Sequence, residues 1–339
     1  MPGNVQKKMI LGLLPVVLAL AGNSFIAVIK FIGFFISGSS VLFSEAVHSL
    51  ADTSNQALLL IGVKRSVKKA DAEFPYGYGQ ERFFWALVSA CGIFFVGAGV
   101  TIYRGIWMMT HHKEVLIGPV IFAILAISFI IETITFLVAV KELRATNKDL
   151  SWIEILKDGD PAALAVFYED GVALLGIFIA SVSILLTRLT GQIFYDAAGS
   201  ILIGILLGAI AAVLINKNRR FLTKKSIPEE LKEKIIEIMI ADPAIEKVLD
   251  FKSSVIDVGI YRIKCEVEFN GPGLLKEIFG KGEIREEYDE VKNDYNKFVK
   301  FCVDYADRIP RLIGKKMDEI EKKIQAEAPQ IKHIDIEIN

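Results

Sequence analysis

Apolar residues run in long blocks up to about Ile215, and beyond that point Lys, Glu and Asp dominate to the end of the chain. Six of the blocks reach the roughly 20 residues that a helix needs to cross a bilayer: Met9 to Ile36, Val41 to Val63, Phe83 to Met108, Leu116 to Val140, Ala162 to Leu186 and Ile193 to Ile215. The remainder has a different period. Ile227-Pro228-Glu229-Glu230 opens a helix with acids in its first turn, and Ile235, Ile236, Ile238 and Met239 continue it. Val255 to Gly259 and Tyr261 to Phe269 read as strands, the second placing Ile263, Cys265, Val267 and Phe269 on one face. A charged helical insertion from about 274 to 307, a helix over Leu312 to Glu327 and a strand over Ile331 to Ile338 complete an α-β-β-α-β order. The expectation is a six-helix membrane domain over 1–216, followed by a soluble α+β domain over 217–339.

Composition agrees with that split. A hydrophobic content of 53% and a mean hydropathy of +0.44 are too apolar for a soluble enzyme, while 23% charged is too much for a chain buried wholly in lipid. The net charge of −1, with Lys and Arg matched by acids, gives nucleic acid no basic tract to bind. Cys91, Cys265 and Cys302 form no CxxC pair, so packing is their expected role. Lys7, Lys8, the basic residues of the 64–82 and 141–157 loops and those from Lys217 to Lys225 all fall on one side of six spans, against Lys113 and Arg188 on the other. The positive-inside bias then puts both termini in the cytoplasm. Met1 to Lys8 lacks the Arg-rich amphipathic character of a transit peptide, so a plasma (inner) membrane is expected.

The chemistry sits where it is most expensive. His48 and Asp52 are four residues apart on the second span, with Glu45 one turn earlier and Asn55 one turn later on nearly the same stripe. An ionisable side chain at bilayer depth costs about 2.5–3.5 kcal/mol on insertion scales, which makes such a row a functional signal. The fifth span carries Glu169 and Asp170, well inside its apolar stretch, with Gly171 leaving room for a neighbouring helix. Successive helical positions diverge by about 100°, so the two acids point apart, although the longer Glu arm can swing back. One neutral imidazole and two carboxylates, from His48, Asp52 and Asp170, balance a divalent cation, and water or Glu169 completes four-coordination. Elsewhere the expectations are plainer. Lys30 snorkels or pairs with Glu132 of the fourth span, Asp196 is interfacial, and Gly92, Gly97 and Gly99 allow close helix packing. His111 and His112 are solvent-exposed, Asp71 and Glu73 are weak cation captors in a shaped turn, and His333 with Asp335 is a faint metal signal on a strand face.

These residues resemble the cation diffusion facilitator family of divalent-metal/proton exchangers, over nearly the whole chain. His48 and Asp52 match its His/Asp-x-x-x-Asp pair, and Asp170 matches the second acid of its fifth-helix pair. Val166 stands where most members place the first fifth-helix ligand, commonly His. Glu169-Asp170-Gly171-Val172-Ala173 and Phe74-Pro75-Tyr76-Gly77-Tyr78-Gly79 resemble the branch that contains the mitochondrial zinc exporter, with Glu169 the candidate replacement for that His. The resemblance implies six membrane helices, a cytoplasmic ferredoxin-like domain, a two-fold homodimer, no permanently bound cofactor, and efflux of a divalent metal in exchange for protons by alternating access. Zinc leads, with Mn, Fe and Co as alternatives, because a single imidazole among carboxylates admits harder ions. Two other classes use the same residues: a membrane-embedded metallohydrolase, which lacks an HExxH helix or a nucleophile, and a haem-bearing electron carrier, which lacks a second intramembrane histidine.

Overall fold

The computed structural model describes residues 3–111, 115–146, 151–152, 155, 161–278 and 283–339, with the side chains of 3–19, 142, 146, 161–166, 275–278 and 283–284 left out of account. It divides into two compact units, Met1–Lys69 with Glu81–Arg219, and Ala70–Gln80 with Arg220–Asn339.

The first unit is a bundle of long helices: α1 (Gly3–Ser37), α2 (Ser40–Ser66), α3 (Glu81–His111), α4 (Pro119–Thr146), α5 (Pro161–Thr190) and α6 (Phe194–Leu222). Five of them contain stretches long and apolar enough to cross a membrane: Leu20–Ser37, Glu81–His111, Pro119–Ala145, Phe167–Thr190 and Phe194–Leu222. α2 is 27 residues long, about 40 Å at 1.5 Å per residue, but Glu45, His48 and Asp52 interrupt it, so composition alone does not mark it as spanning. Its surroundings explain that. α2 packs on α1, α3 and α5, and its polar residues Ser44, Glu45, His48, Ser49 and Asn55 are buried. The bundle's outer surface is apolar instead, with Phe35, Phe95 and Phe178 largely exposed, as lipid contact requires.

Close helix contact is made by glycines other than the expected ones. A Cβ at Gly105 of α3 would lie 2.6 Å from Ile201 and 2.9 Å from the Ala197 carbonyl, and one at Gly204 of α6 would meet Ile102 at 2.6 Å, so α3 and α6 touch backbone to backbone there. Gly92 and Gly99 have open space, and Gly97 has only ordinary contacts. They flank or lie within a π-helical stretch, Ile93–Ala98, that widens α3 midway. Asp196, in the first turn of α6, is wholly buried against the start of α2. It accepts hydrogen bonds from the Ser39 hydroxyl and, at 2.6 Å, from the Ser40 amide, while Ser39 Oγ accepts from Leu42 N at 3.2 Å. The start of α6 therefore caps the start of α2 with a negative charge where the helix dipole favours one.

The second unit is the α+β domain. α7 (Glu229–Ile240) precedes β1 (Ile245–Asp257) and β2 (Ile260–Phe269), then α8 (Gly271–Ile278), α9 (Glu283–Val291), α10 (Tyr295–Glu327) and β3 (Ile331–Ile338) follow. The sheet order is β1-β2-β3, with β1 antiparallel and β3 parallel to β2. This is the ferredoxin-like arrangement expected. Ile263, Cys265 and Val267 of β2 form one buried face against Ile235 and Met239 of α7 and Ile320 and Ile324 of α10. Burial pushes the Cys265 thiol up to about 12, so it is an inert packing group, whereas Cys302 is exposed and does not fit that role. The insertion does not end near Asp307. α10 runs unbroken through Pro310, its amphipathic face holding the helix in place although the proline removes one donor and crowds the carbonyl one turn earlier.

Residues 70–80, the connection between α2 and α3, fold with this unit. Tyr76 lies under the Arg262 guanidinium at 4.5 Å and meets the His333 ring edge-on at 5.0 Å. A Cβ at Gly79 would come within 2.6 Å of Asp257 Cβ and 2.8 Å of the Ile256 carbonyl, so only glycine lets the loop lie this close. Asp71 is used within the turn, accepting from Phe74 N at 2.9 Å and Tyr78 Oη at 2.7 Å, and Asp335 is taken by the Arg262 fork at 2.6 and 2.9 Å. Neither carboxylate is then poised as the metal captor that the sequence hinted at.

Two measurements test these contacts. Asp196→Ala should lower the thermal midpoint of the detergent-solubilised protein by the loss of hydrogen bonds to a charged group, roughly 1.5–3 kcal/mol each. Asp196→Asn, keeping an acceptor, should lose less, and an Ala variant that melts with the wild type would rule out the cap. In the α+β unit, Asp242 is opposed by burial, but the Ala244 amide at 3.0 Å and the Lys316 and Lys323 ammonium groups outweigh it and hold the carboxyl below its ordinary range. A depressed carboxyl lends stability above the unfolded value and loses it as pH falls through the folded one, so the loss belongs below about pH 4. Hydrogen exchange at Ala244, corrected for its intrinsic rate, should accelerate in that window and should lose this acid dependence in Asp242→Asn.

Candidate metal pathway

The row on α2 is organised by what each side chain meets on the neighbouring helices. Lys30 of α1 is fully buried, and its Nζ donates to Glu45 Oε2 and Ser49 Oγ, both at 2.9 Å. This corrects the expected pairing with Glu132. α1 and α2 are packed along their length, so the four-carbon stem of Lys30 reaches Glu45 directly. Removing one partner from such a buried pair typically costs about 3–5 kcal/mol, because the other charge is left alone.

One turn further along, His48 Nε2 stands 3.3 Å from Asp52 Oδ2 without making a hydrogen bond to it. The i, i+4 spacing delivers both to one face, as the sequence indicated. At the next turn Asn55 Nδ2 donates to Glu169 Oε1 at 2.7 Å, tying α2 to α5. Glu169 is thus the acid that swings toward α2. Asp170 lies within electrostatic range of Asp52 and of Glu132, the last a buried acid of α4. A Cβ at Gly171 would meet the Phe136 ring of α4 at 3.5 Å, an ordinary contact, so α4 packs beside this stretch of α5.

The four expected ligands therefore fall into three arrangements: the His48–Asp52 pair, Glu169 held by Asn55, and Asp170 within electrostatic range of both Asp52 and Glu132. Among the described residues, no group of three His, Cys, Asp or Glu side chains is gathered closely enough to hold a metal ion. The side chain of Val166 lies outside the described residues, as does His112, while His111 is exposed and stacked on Trp107 at 4.5 Å. Glu45 lies within range of His48, as its place one turn earlier on α2 indicated, and so does Glu132 of α4, whose nearness only the helix packing reveals.

Hydroxyls line the rest of the α2 face. Ser44 and Ser200 share a hydrogen bond of 2.7 Å, and Ser200 donates to the Thr101 carbonyl at 3.1 Å. Chemically, the region offers oxygen donors and one imidazole along a single helix face inside an apolar bundle. That suits stepwise passage of a partly dehydrated cation better than activation of a bound water for hydrolysis.

Residues 16–223 match the family model described as the cation efflux transmembrane domain. The chain is 34% identical over 329 residues to the human protein named proton-coupled zinc antiporter SLC30A9, mitochondrial, covering 95% of this chain and 58% of that protein. It is 35% identical over 335 residues to metal tolerance protein C4 of Arabidopsis thaliana, covering 94% and 72%. A shorter likeness, 38% over 79 residues, reaches the magnetosome protein MamM of Paramagnetospirillum magneticum and covers 23% of this chain and 24% of that one. The chain spans 58% of the length of the human relative. With the membrane-domain model matched over residues 16–223 and ionisable groups of α2 and α5 brought together inside an apolar bundle, this multi-pass membrane protein belongs to the cation efflux family.

Proposed function

We propose that the chain exports a divalent metal cation, zinc first, in exchange for protons by alternating access. The observation that carries this reading is the polar seam between α2 and α5: His48 beside Asp52, and Glu169 bonded to Asn55, with Asp170 within electrostatic range of Asp52. The printed name of the human relative, a proton-coupled zinc antiporter, points the same way. The transported ion is bound by His48, Asp52 and Asp170, with Glu169 as the fourth donor once it leaves Asn55. Imidazole and carboxylate must be deprotonated to bind metal, so loading releases protons and protons arriving from the far side displace the ion. His48 is the side chain whose ordinary titration falls near neutral pH, which suits it to the exchange. Relative motion of α2 and α5 supplies the two access states, because the ligands belong to different helices.

The basic loops favour both termini on the cytoplasmic side of a plasma (inner) membrane. A mitochondrial membrane is the second reading, favoured by the human relative's name. The working unit in this proposal is a homodimer, the state that the family resemblance implies, and light scattering of the detergent-solubilised protein would test it.

In proteoliposomes bearing a pH gradient, Asp52→Ala and Asp170→Ala should each abolish zinc uptake while wild-type vesicles accumulate it. Uptake at the wild-type rate in either variant would remove that residue from the site. Glu169→Gln keeps a partner for Asn55 but removes the charge. It should slow uptake by about tenfold or more, the loss of roughly 1.4 kcal/mol of binding, whereas an unchanged rate would leave Glu169 a helix clamp only.

A further inference from the structure

The α2 row carries an acid, Glu45, that the proposed ligand set of His48, Asp52, Asp170 and Glu169 does not use, and the protein meets it internally. Glu45 is fully buried one helical turn from His48. Its Oε2 receives the Lys30 ammonium at 2.9 Å, and its Oε1 is buried with no hydrogen-bond partner. Opposite that oxygen stands Gly176 of α5, where any Cβ would collide with it. The carboxylate therefore occupies space that α5 leaves open for it. His48, Asp52 and Glu132 all lie within electrostatic range of Lys30.

We propose that Lys30 determines metal selectivity: it is a tethered cation that keeps Glu45 out of the transported ion's coordination, so that the ion meets the imidazole of His48 and the carboxylates of Asp52, Asp170 and Glu169, and not a further carboxylate from Glu45. The inference rests on the transport reading above. An ammonium is a compact charge with three donors and no acceptor, and it fills a carboxylate as a metal ion would. Without it, Glu45 presents two free oxygens one turn from His48 on the same face. An added carboxylate suits Mn²⁺, whose preference is for oxygen ligands, more than Zn²⁺, which binds imidazole well. A pair that merely staples α1 to α2 would, when broken, slow both ions alike.

The test uses the full-length protein in proteoliposomes, with Zn²⁺ and Mn²⁺ uptake measured separately. Lys30→Met should raise the ratio of Mn²⁺ to Zn²⁺ transport efficiency by about tenfold, equivalent to roughly 1.4 kcal/mol of differential binding. Lys30→Met combined with Glu45→Gln should return the ratio toward the wild type, and Lys30→Arg should leave it there. An unchanged ratio in Lys30→Met, or a shift that persists in the double variant, overturns the proposal. Should Lys30→Met fail to assemble, Glu45→Gln alone decides. It sets the ammonium loose beside His48 and Asp52, so the KM for Zn²⁺ should rise about tenfold and fall again when Lys30→Met is added, and an unaltered KM overturns the proposal. Wild-type vesicles that move neither ion would refute the transport reading together with this inference, whereas wild-type uptake with an unmoved ratio refutes the role of Lys30 alone.

Discussion

Charge buried in an apolar layer must be answered by a partner, and the membrane unit is built around that requirement. Along the buried face of α2, the polar groups meet partners from other helices or from one turn away. Lys30 of α1 answers Glu45, Asp52 stands beside His48, Asn55 binds Glu169 of α5, and Asp196 of α6 holds the first turn of α2. These contacts are worth more than their number suggests, since an unpartnered ion in this setting would be costlier than any one of them is favourable. They also decide where α2 lies. A helix with this polarity is tolerated in the bundle only when its neighbours enclose it.

The same contacts bear on movement. A seam held by apolar packing alone has little reason to open, whereas one held by hydrogen bonds to carboxylates changes its energetics whenever a proton or a cation arrives. His48 and Asp52 lie side by side without a hydrogen bond between them, and Glu169 is held by Asn55 at a single oxygen. Both arrangements leave ligand atoms available to an incoming ion. By contrast, the contacts among Gly105, Gly204 and the α6 backbone fix α3 to α6 through close packing that carries no titratable group.

The soluble unit answers its own polar groups in a similar manner. Asp242 is covered by an amide and two lysines, and Asp335 by the Arg262 fork. The loop from 70 to 80 belongs to this unit through Tyr76, which packs between Arg262 and His333, and through Gly79. A segment that is covalently continuous with α2 thus has its fold set by a sheet more than 160 residues later in the chain. The features that the sequence offered as loose metal captors, Asp71 and Asp335, serve this packing instead.

What the amino-acid sequence determined was whatever repeats over a few residues. Apolar runs of spanning length, the alternation that buries Ile263, Cys265 and Val267, and the four-residue spacing that sets His48 beside Asp52 all follow from helix and strand geometry, so they were legible before any coordinates. Tertiary structure decided the choices among partners. Lys30 bonds to Glu45 and not Glu132, Asp196 is a buried cap on α2, Glu169 and not Asp170 reaches Asn55, and Gly105 rather than Gly97 makes the close approach. None of these is written in local periodicity, because a charged side chain selects its partner from whichever helix packing brings within a few ångströms. That selection is made by the whole bundle at once.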